Sequence, residues 1–245
     1  MRYVVLGLVF CLVAVSSAFA AASGATLTLK DDRISVERNG KSTLLPQDMF
    51  PAQPIEGTTL RFAGVGEDDG KKYGIAAGLY IFESQGPAAA FAPTEFAEYC
   101  SEVRLSPAGD VLAMDSGTWL IRSWFFFSFP GMKPMGEVVY YQSEGKPALV
   151  WTGTKGALVS SMQTDDQGRT CEYDPCGPVS VDYYDFAAQR DTRLLSGTDT
   201  CDYTLTGITE DGLAATALEL CLQSADAWKT LPENAPTKPV TATVP

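Results

Sequence analysis

From residue 25 onward, apolar and polar residues alternate in short runs, and glycine, aspartate, asparagine and proline separate the runs. Residues 25–30, 33–38 and 42–45 alternate with period two, with Asp31-Asp32 and Asn39-Gly40 between them. Asn-Gly between two alternating runs is the strongest two-residue hairpin signal. Further runs follow at 58–63, 73–83, 102–105, 111–114, 118–129, 138–142, 148–152, 157–163, 179–186 and 202–205. Turn residues recur at a spacing typical of sandwiches, barrels and propellers, roughly every 8–12 positions. Long stretches of helical period are nearly absent. The pattern predicts an all-β protein with a multi-stranded antiparallel architecture.

Residues 213–223 carry helix-forming Ala, Leu and Glu, yet Leu218, Leu220 and Leu222 alternate with Glu219, Cys221 and Gln223. Period two favours a strand over the helix that composition suggests. Ser224 is placed to cap a short helix through Trp228, ended by Pro232. The expected organisation is a single all-β domain over 24–231 and a proline-rich tail over 232–245, extended or disordered.

Residues 1–20 read as a signal peptide. Arg2 is the only charge, an apolar run spans 4–15, and Ala18-Phe19-Ala20 supplies the small residues a signal peptidase needs. The alternative is a membrane anchor, but the apolar run is shorter than the ~20 residues of a bilayer-spanning helix. Phe10, preceding Cys11, does not suit lipid attachment there. The expectation is a periplasmic or secreted protein cleaved near Ala20, with no membrane insertion after cleavage.

Export changes the reading of the cysteines. Beyond Cys11 there are Cys100, Cys171, Cys176, Cys201 and Cys221, an odd number in an oxidising compartment. The expected pairs are Cys171–Cys176 and Cys201–Cys221, with Cys100 free and buried. Four residues separate Cys171 from Cys176, so they are not a C-x-x-C redox pair.

The chain has no histidine, which excludes His-based triads and His-ligated zinc or haem. Its 18 Lys and Arg against 30 Asp and Glu give a net charge of −12. Nucleic acid and anionic lipid are therefore poor partners for the fold as a whole.

The segment Leu105-Ser106-Pro107-Ala108-Gly109-Asp110-Val111 resembles the turn and following strand of a β-propeller blade of the TolB or WD40-like kind. Looser echoes lie at 66–72, 165–169 and 209–213, and Gly70, Gly109, Gly168 and Gly212 recur at intervals of 39, 59 and 44 residues. Two of these intervals suit a four-stranded blade of ~40–45 residues. The resemblance implies a small propeller, and the outer strands of a blade over 179–195. Ordinary Asp/Gly hairpin turns in a sandwich account for the same residues.

Four sets of residues suggest chemistry. The run Trp119 to Phe129 is apolar on both faces, which points to a strand through a buried sheet, or else to an aromatic platform. Asp182-Tyr183-Tyr184-Asp185 and Tyr140-Tyr141 suit sugar binding, because rings stack on apolar sugar faces while carboxylates accept hydroxyl protons; they also suit ordinary strand positions. The acidic turns Glu67-Asp68-Asp69 and Asp165-Asp166 lack the spaced pattern of a calcium loop, so no metal and no cofactor is expected. Paired carboxylates alone could hydrolyse glycosides. No nucleophile elbow, Ser-x-x-Lys start or dinucleotide fingerprint is written in the chain. The expectation is an exported binding or scaffolding module of the bacterial cell envelope with a protein or peptide partner. The alternative is a carboxylate-based glycan-binding or glycan-hydrolysing protein, with Asp182, Tyr183, Tyr184 and Asp185 as ligand-binding residues.

Overall fold

The computed structural model describes residues 25–117, 122–140, 148–153, 155–162, 179–223 and 235–245. Those residues form antiparallel sheets almost throughout, as the period-two pattern predicts. The chain divides into two compact units, one ending at Glu98 and the other beginning at Tyr99. The boundary falls within a 3-10 turn at Glu95–Tyr99, with no glycine- or proline-rich linker to announce it.

The first unit holds a seven-stranded sheet. Its strands are β1 (Ala25–Lys30), β2 (Arg33–Arg38), β3 (Lys41–Leu44), β4 (Gln53–Pro54), β5 (Arg61–Val65), β6 (Gly78–Phe82) and β7 (Gly86–Ala92), in the order β3-β2-β1-β7-β6-β5-β4. The predicted turns make the first hairpins. Asp31 and Asp32 (φ 49° and 59°) join β1 to β2, and Asn39 and Gly40 (φ 50° and 73°) join β2 to β3. Left-handed dihedrals at both central residues match the right-handed twist of the flanking strands. Leu27 and Leu29 of β1 and Ile34 and Val36 of β2 lie buried in one cluster with Phe50 and Phe82.

Glu67 to Tyr73 corrects the sequence reading. The segment echoing a blade turn is instead a short helix, α1 (Glu67–Tyr73). Acids in its first turn and Lys71 and Lys72 in its last complement the helix dipole, and Gly74 (φ 66°) ends it in the left-handed conformation. The strand expected over 73–83 is shortened accordingly to β6.

The second unit contains an eight-stranded sheet built from β8 (Cys100–Leu105), β9 (Val111–Gly117), β10 (Arg122–Ser128), β11 (Pro134–Tyr140), β12 (Leu149–Trp151), β13 (Gly156–Met162), β14 (Val179–Asp185) and β15 (Arg190–Leu195). The order is β15-β14-β13-β11-β10-β9-β8, with β12 also paired to β13. The turn 106–109 joins β8 to β9 as expected. Ser106 Oγ accepts the N–H groups of Asp110 (3.2 Å) and Val111 (3.0 Å) and donates to the Asp110 carboxylate. On one face Val111, Ala113, Trp124, Phe126, Val138, Val159 and Tyr184 form a core; on the other, Leu158, Val181 and Tyr183 meet a three-stranded sheet. Trp124, Phe126 and Phe127 are all buried, so the aromatic run is a core strand.

The three-stranded sheet is β16 (Cys201–Ile208), β17 (Ala214–Cys221) and β18 (Lys238–Thr243), in that order. Residues 214–221 are a strand, as period two required. The segment expected as a free tail is instead paired: β18 runs antiparallel to β17 from Glu219↔Lys238 to Ala214↔Thr243. Val240 and Val244 pack on the cluster around Leu205, which gives this proline-containing segment something to bury. The helix expected after Ser224 lies outside the described residues.

Candidate functional site: a polar end of the eight-stranded sheet

Two strands in this sheet interrupt their apolar pattern with one charged residue each. In β9 it is Asp115, after Val111-Leu112-Ala113-Met114; in β10 it is Arg122, before Trp124-Phe125-Phe126-Phe127. The register sets Arg122 opposite Gly117 and Tyr140, and Trp124 opposite Asp115 and Val138, so these side chains share one face at one end of the sheet. A lone charge in a buried strand requires a partner, because an unpaired one costs several kcal/mol (of order 3–5).

The pair is embedded in a network. Arg122 Nε donates to Asp115 Oδ1 at 3.0 Å and to Tyr140 Oη at 2.9 Å. A terminal guanidinium nitrogen of Arg122 donates to Asp115 Oδ2 and to Ser101 Oγ, and Ser101 Oγ donates to Asp115 Oδ2 at 2.7 Å. The Asp115 side chain is 4% exposed and that of Arg122 22%, so the network opens outward through the guanidinium. Burial opposes the charge on Arg122, but its hydrogen bond and charge interaction with Asp115 outweigh that and raise its pKa. Burial, followed by the charge of Asp115, pushes the Tyr140 hydroxyl above the ordinary tyrosine range.

Beside this network lies a second compensated pair. Arg104 binds the Glu102 carboxylate at 2.7 and 3.1 Å, donates to the Leu149 carbonyl at 3.3 Å, and lies 5.2 Å from the centre of the Trp124 ring. Tyr140 stacks on the same indole at 5.4 Å and 26°. Cys100 is free, as expected, and half-buried; burial and then the Asp115 charge push its thiol up to about 12.

The residues singled out as ligand-binding sit elsewhere in this sheet and are divided between its two faces. Asp182 and Tyr184 share one face of β14, while Tyr183 belongs to the cluster on the other. Asp182 is 2% exposed and binds Arg193 at 3.0 and 3.2 Å, which raises the Arg193 pKa. Tyr184 stacks on Phe126 at 5.0 Å and donates to the Met135 carbonyl at 2.7 Å. Asp185 accepts the N–H groups of Ala187 and Ala188 and so closes the turn after β14. The four residues line no common surface. Tyr140 belongs to the polar end; Tyr141 lies outside the described residues.

Of the cysteine pairs, Cys201–Cys221 is formed, between residues directly opposite in β16 and β17. Cys171, Cys176 and Asp165-Asp166 lie outside the described residues, as does the leader 1–20. Glu67, Asp68 and Asp69 form the first turn of α1. Among the described residues, no group of three His, Cys, Asp or Glu side chains is placed to hold a metal ion, and no helix is long and apolar enough to cross a membrane.

No protein-family model and no curated relative matches the chain. Solved structures with a similar course of chain include the tricorn protease (9% identity, TM-score 0.44), a prolyl endopeptidase (12%, 0.41) and TolB from Acinetobacter baumannii (9%, 0.37). They match 80%, 79% and 89% of this chain, which spans only 18%, 28% and 52% of theirs. At these scores the likeness carries no inference about activity.

Proposed function

We propose that the chain is an exported binding module of the bacterial cell envelope, acting in the periplasm or outside the cell. The observation that carries the proposal is the cystine joining Cys201 to Cys221. Such a cross-link forms and persists in oxidising compartments, in keeping with the leader written at 1–20. A binding role agrees with the polar end of the eight-stranded sheet, where Arg122 reaches the surface from an otherwise buried network. The glycan reading drew its support from Asp182, Tyr183, Tyr184 and Asp185. Packing, an ion pair and a turn occupy these residues on two faces of one strand, which weighs against them as a sugar site.

Expression of the full chain in a bacterial host, followed by fractionation and intact-mass measurement, tests export. The expected result is a periplasmic species processed after Ala20 with Cys201 and Cys221 linked. An unprocessed, fully reduced cytoplasmic protein would refute it.

A further inference from the structure

The Cys201–Cys221 cystine stands at the outer end of the face that the three-stranded sheet turns toward Leu158, Val181 and Tyr183. Ala215, Ala217, Glu219 and Cys221 alternate onto that face of β17, and their cover thins along it. Ala215 is 0% exposed and Ala217 1%, the Glu219 side chain is 23% exposed, and Cys221 is exposed. Across from them in β16, Leu205 is buried, while Tyr203 and Cys201 are half-buried. The two sulfur-bearing residues therefore meet solvent unequally.

Their flanks are unequal as well. Cys201 has β17 on one edge and Thr198 on the other: the Thr198 N–H donates to the Cys201 carbonyl at 2.8 Å, and the Thr198 carbonyl accepts the Cys201 N–H at 3.1 Å. β18 pairs with β17 only between Ala214 and Glu219, so among the described residues no strand is paired to Cys221 on its far edge. A thiolate opens a disulfide by attacking one sulfur in line with the S–S bond, and access decides which sulfur that is. At Cys201 the far side is flanked by the Thr198 turn; at Cys221 it lies beyond the last rung of β18.

We propose that Cys201–Cys221 is a thiol–disulfide exchange site of the folded protein, opened by a dithiol that attacks the sulfur of Cys221. The attacking thiolate forms a mixed disulfide with Cys221 as the S–S bond breaks, and Cys201 leaves as a thiolate that takes a proton from water. The second thiol of the reagent then attacks the sulfur of the first and releases Cys221, which is protonated in turn. The cystine gains two electrons and two protons, and the dithiol is oxidised to a disulfide. The bonds from Tyr203 Oη to Glu219 (2.9 Å) and between Thr206 and Thr216 (2.9 Å) hold β16 on β17 throughout, so exchange requires no unfolding. The inference does not depend on where the chain acts, because it is measured on the purified protein.

The test begins with the oxidised full chain and rising concentrations of dithiothreitol, without denaturant, with reduction of this pair followed by acid quench and peptide mapping. The rate is expected to rise in proportion to the reagent and without a plateau, while the far-ultraviolet spectrum stays unchanged. A rate that levels off at the separately measured unfolding rate would overturn the proposal, since the bond would then open only in unfolded chains. The direction of attack is read from Cys201→Ser and Cys221→Ser, each treated with cystamine, which forms a mixed disulfide by the same approach in reverse. Compared per thiolate, the Cys221 thiol left in Cys201→Ser is expected to react about tenfold faster than the Cys201 thiol left in Cys221→Ser. Equal rates, or the opposite order, would overturn the assignment of the attacked sulfur. The reduction of the parent chain decides the first point even where a variant folds poorly.

Discussion

A β-carbon placed on Gly136 would stand 1.8 Å from the hydroxyl oxygen of Tyr184. Gly136 also has φ 120°, which disfavours any L side chain. The close approach lets Tyr184 cross over β11 and donate to the Met135 carbonyl while its ring packs on Phe126. Gly136→Ala is expected to cost about 2–4 kcal/mol from overpacking and backbone strain together. Tyr184→Phe removes the clashing oxygen, so in the double variant the combined loss should be smaller than the sum of the two single losses. Denaturant unfolding of the four proteins measures this coupling.

The Cys201–Cys221 cross-link closes a segment with a sequence separation of 20. On the chain-entropy account, replacing both cysteines with serine is expected to remove about 3 kcal/mol. Tyr203 Oη to Glu219 (2.9 Å) and Thr206 to Thr216 (2.9 Å) still tie β16 to β17, so the variant should keep its far-ultraviolet spectrum below its lowered melting temperature.

Asp202 lies in β16, and its carboxylate accepts the Val179 N–H at 2.7 Å. Burial raises its pKa above the ordinary value of 3.8 and outweighs that hydrogen bond. The folded state therefore binds this proton more tightly than the unfolded state does, so the carboxylate lowers stability at neutral pH. The penalty is complete above the raised folded pKa and fades as pH falls through it toward 3.8. Asp202→Asn keeps an acceptor for Val179. Its stability gain over the parent is expected to be largest at neutral pH and to shrink on acidification, as thermal melts across that range would register. A gain that grew toward low pH would contradict this assignment.

The Cys100 thiol, pushed up to about 12 from a reference of 9.0, is protonated at any physiological pH. Because the thiolate is the reactive species, alkylation by iodoacetamide at pH 8 should be about a thousandfold slower in the folded protein than after unfolding. Mass spectrometry of a quenched time course measures both rates.

The strands were legible because a two-residue period survives wherever one face is buried. β1 and β2 show this in Leu27, Leu29, Ile34 and Val36, and the Asn39-Gly40 turn fixes their register. The helix α1 was hidden because Asp69, Gly70 and Lys71 read as turn residues, and seven residues are too few to show a helical period. The paired tail was hidden because it contributes only a few apolar contacts, through Val240 of β18 and Val244 just after it. The unit boundary left no trace because the chain passes it in one turn. The site is half legible: Tyr140 stands in a Tyr-Tyr pair, while Asp115 and Arg122 are single charges within apolar runs. Asp182, Tyr183, Tyr184 and Asp185 read as one polar cluster, yet adjacent strand residues point to opposite faces, and composition alone does not reveal where each finds its partner.

The central claim is that the protein is exported and binds a partner there. Affinity capture of the tagged, exported protein from its own organism's envelope, with and without gentle crosslinking, tests it most directly. The account predicts reproducible recovery of a peptide or protein partner. Capture of nothing by a demonstrably folded protein, alongside specific retention on a glycan array, would contradict it.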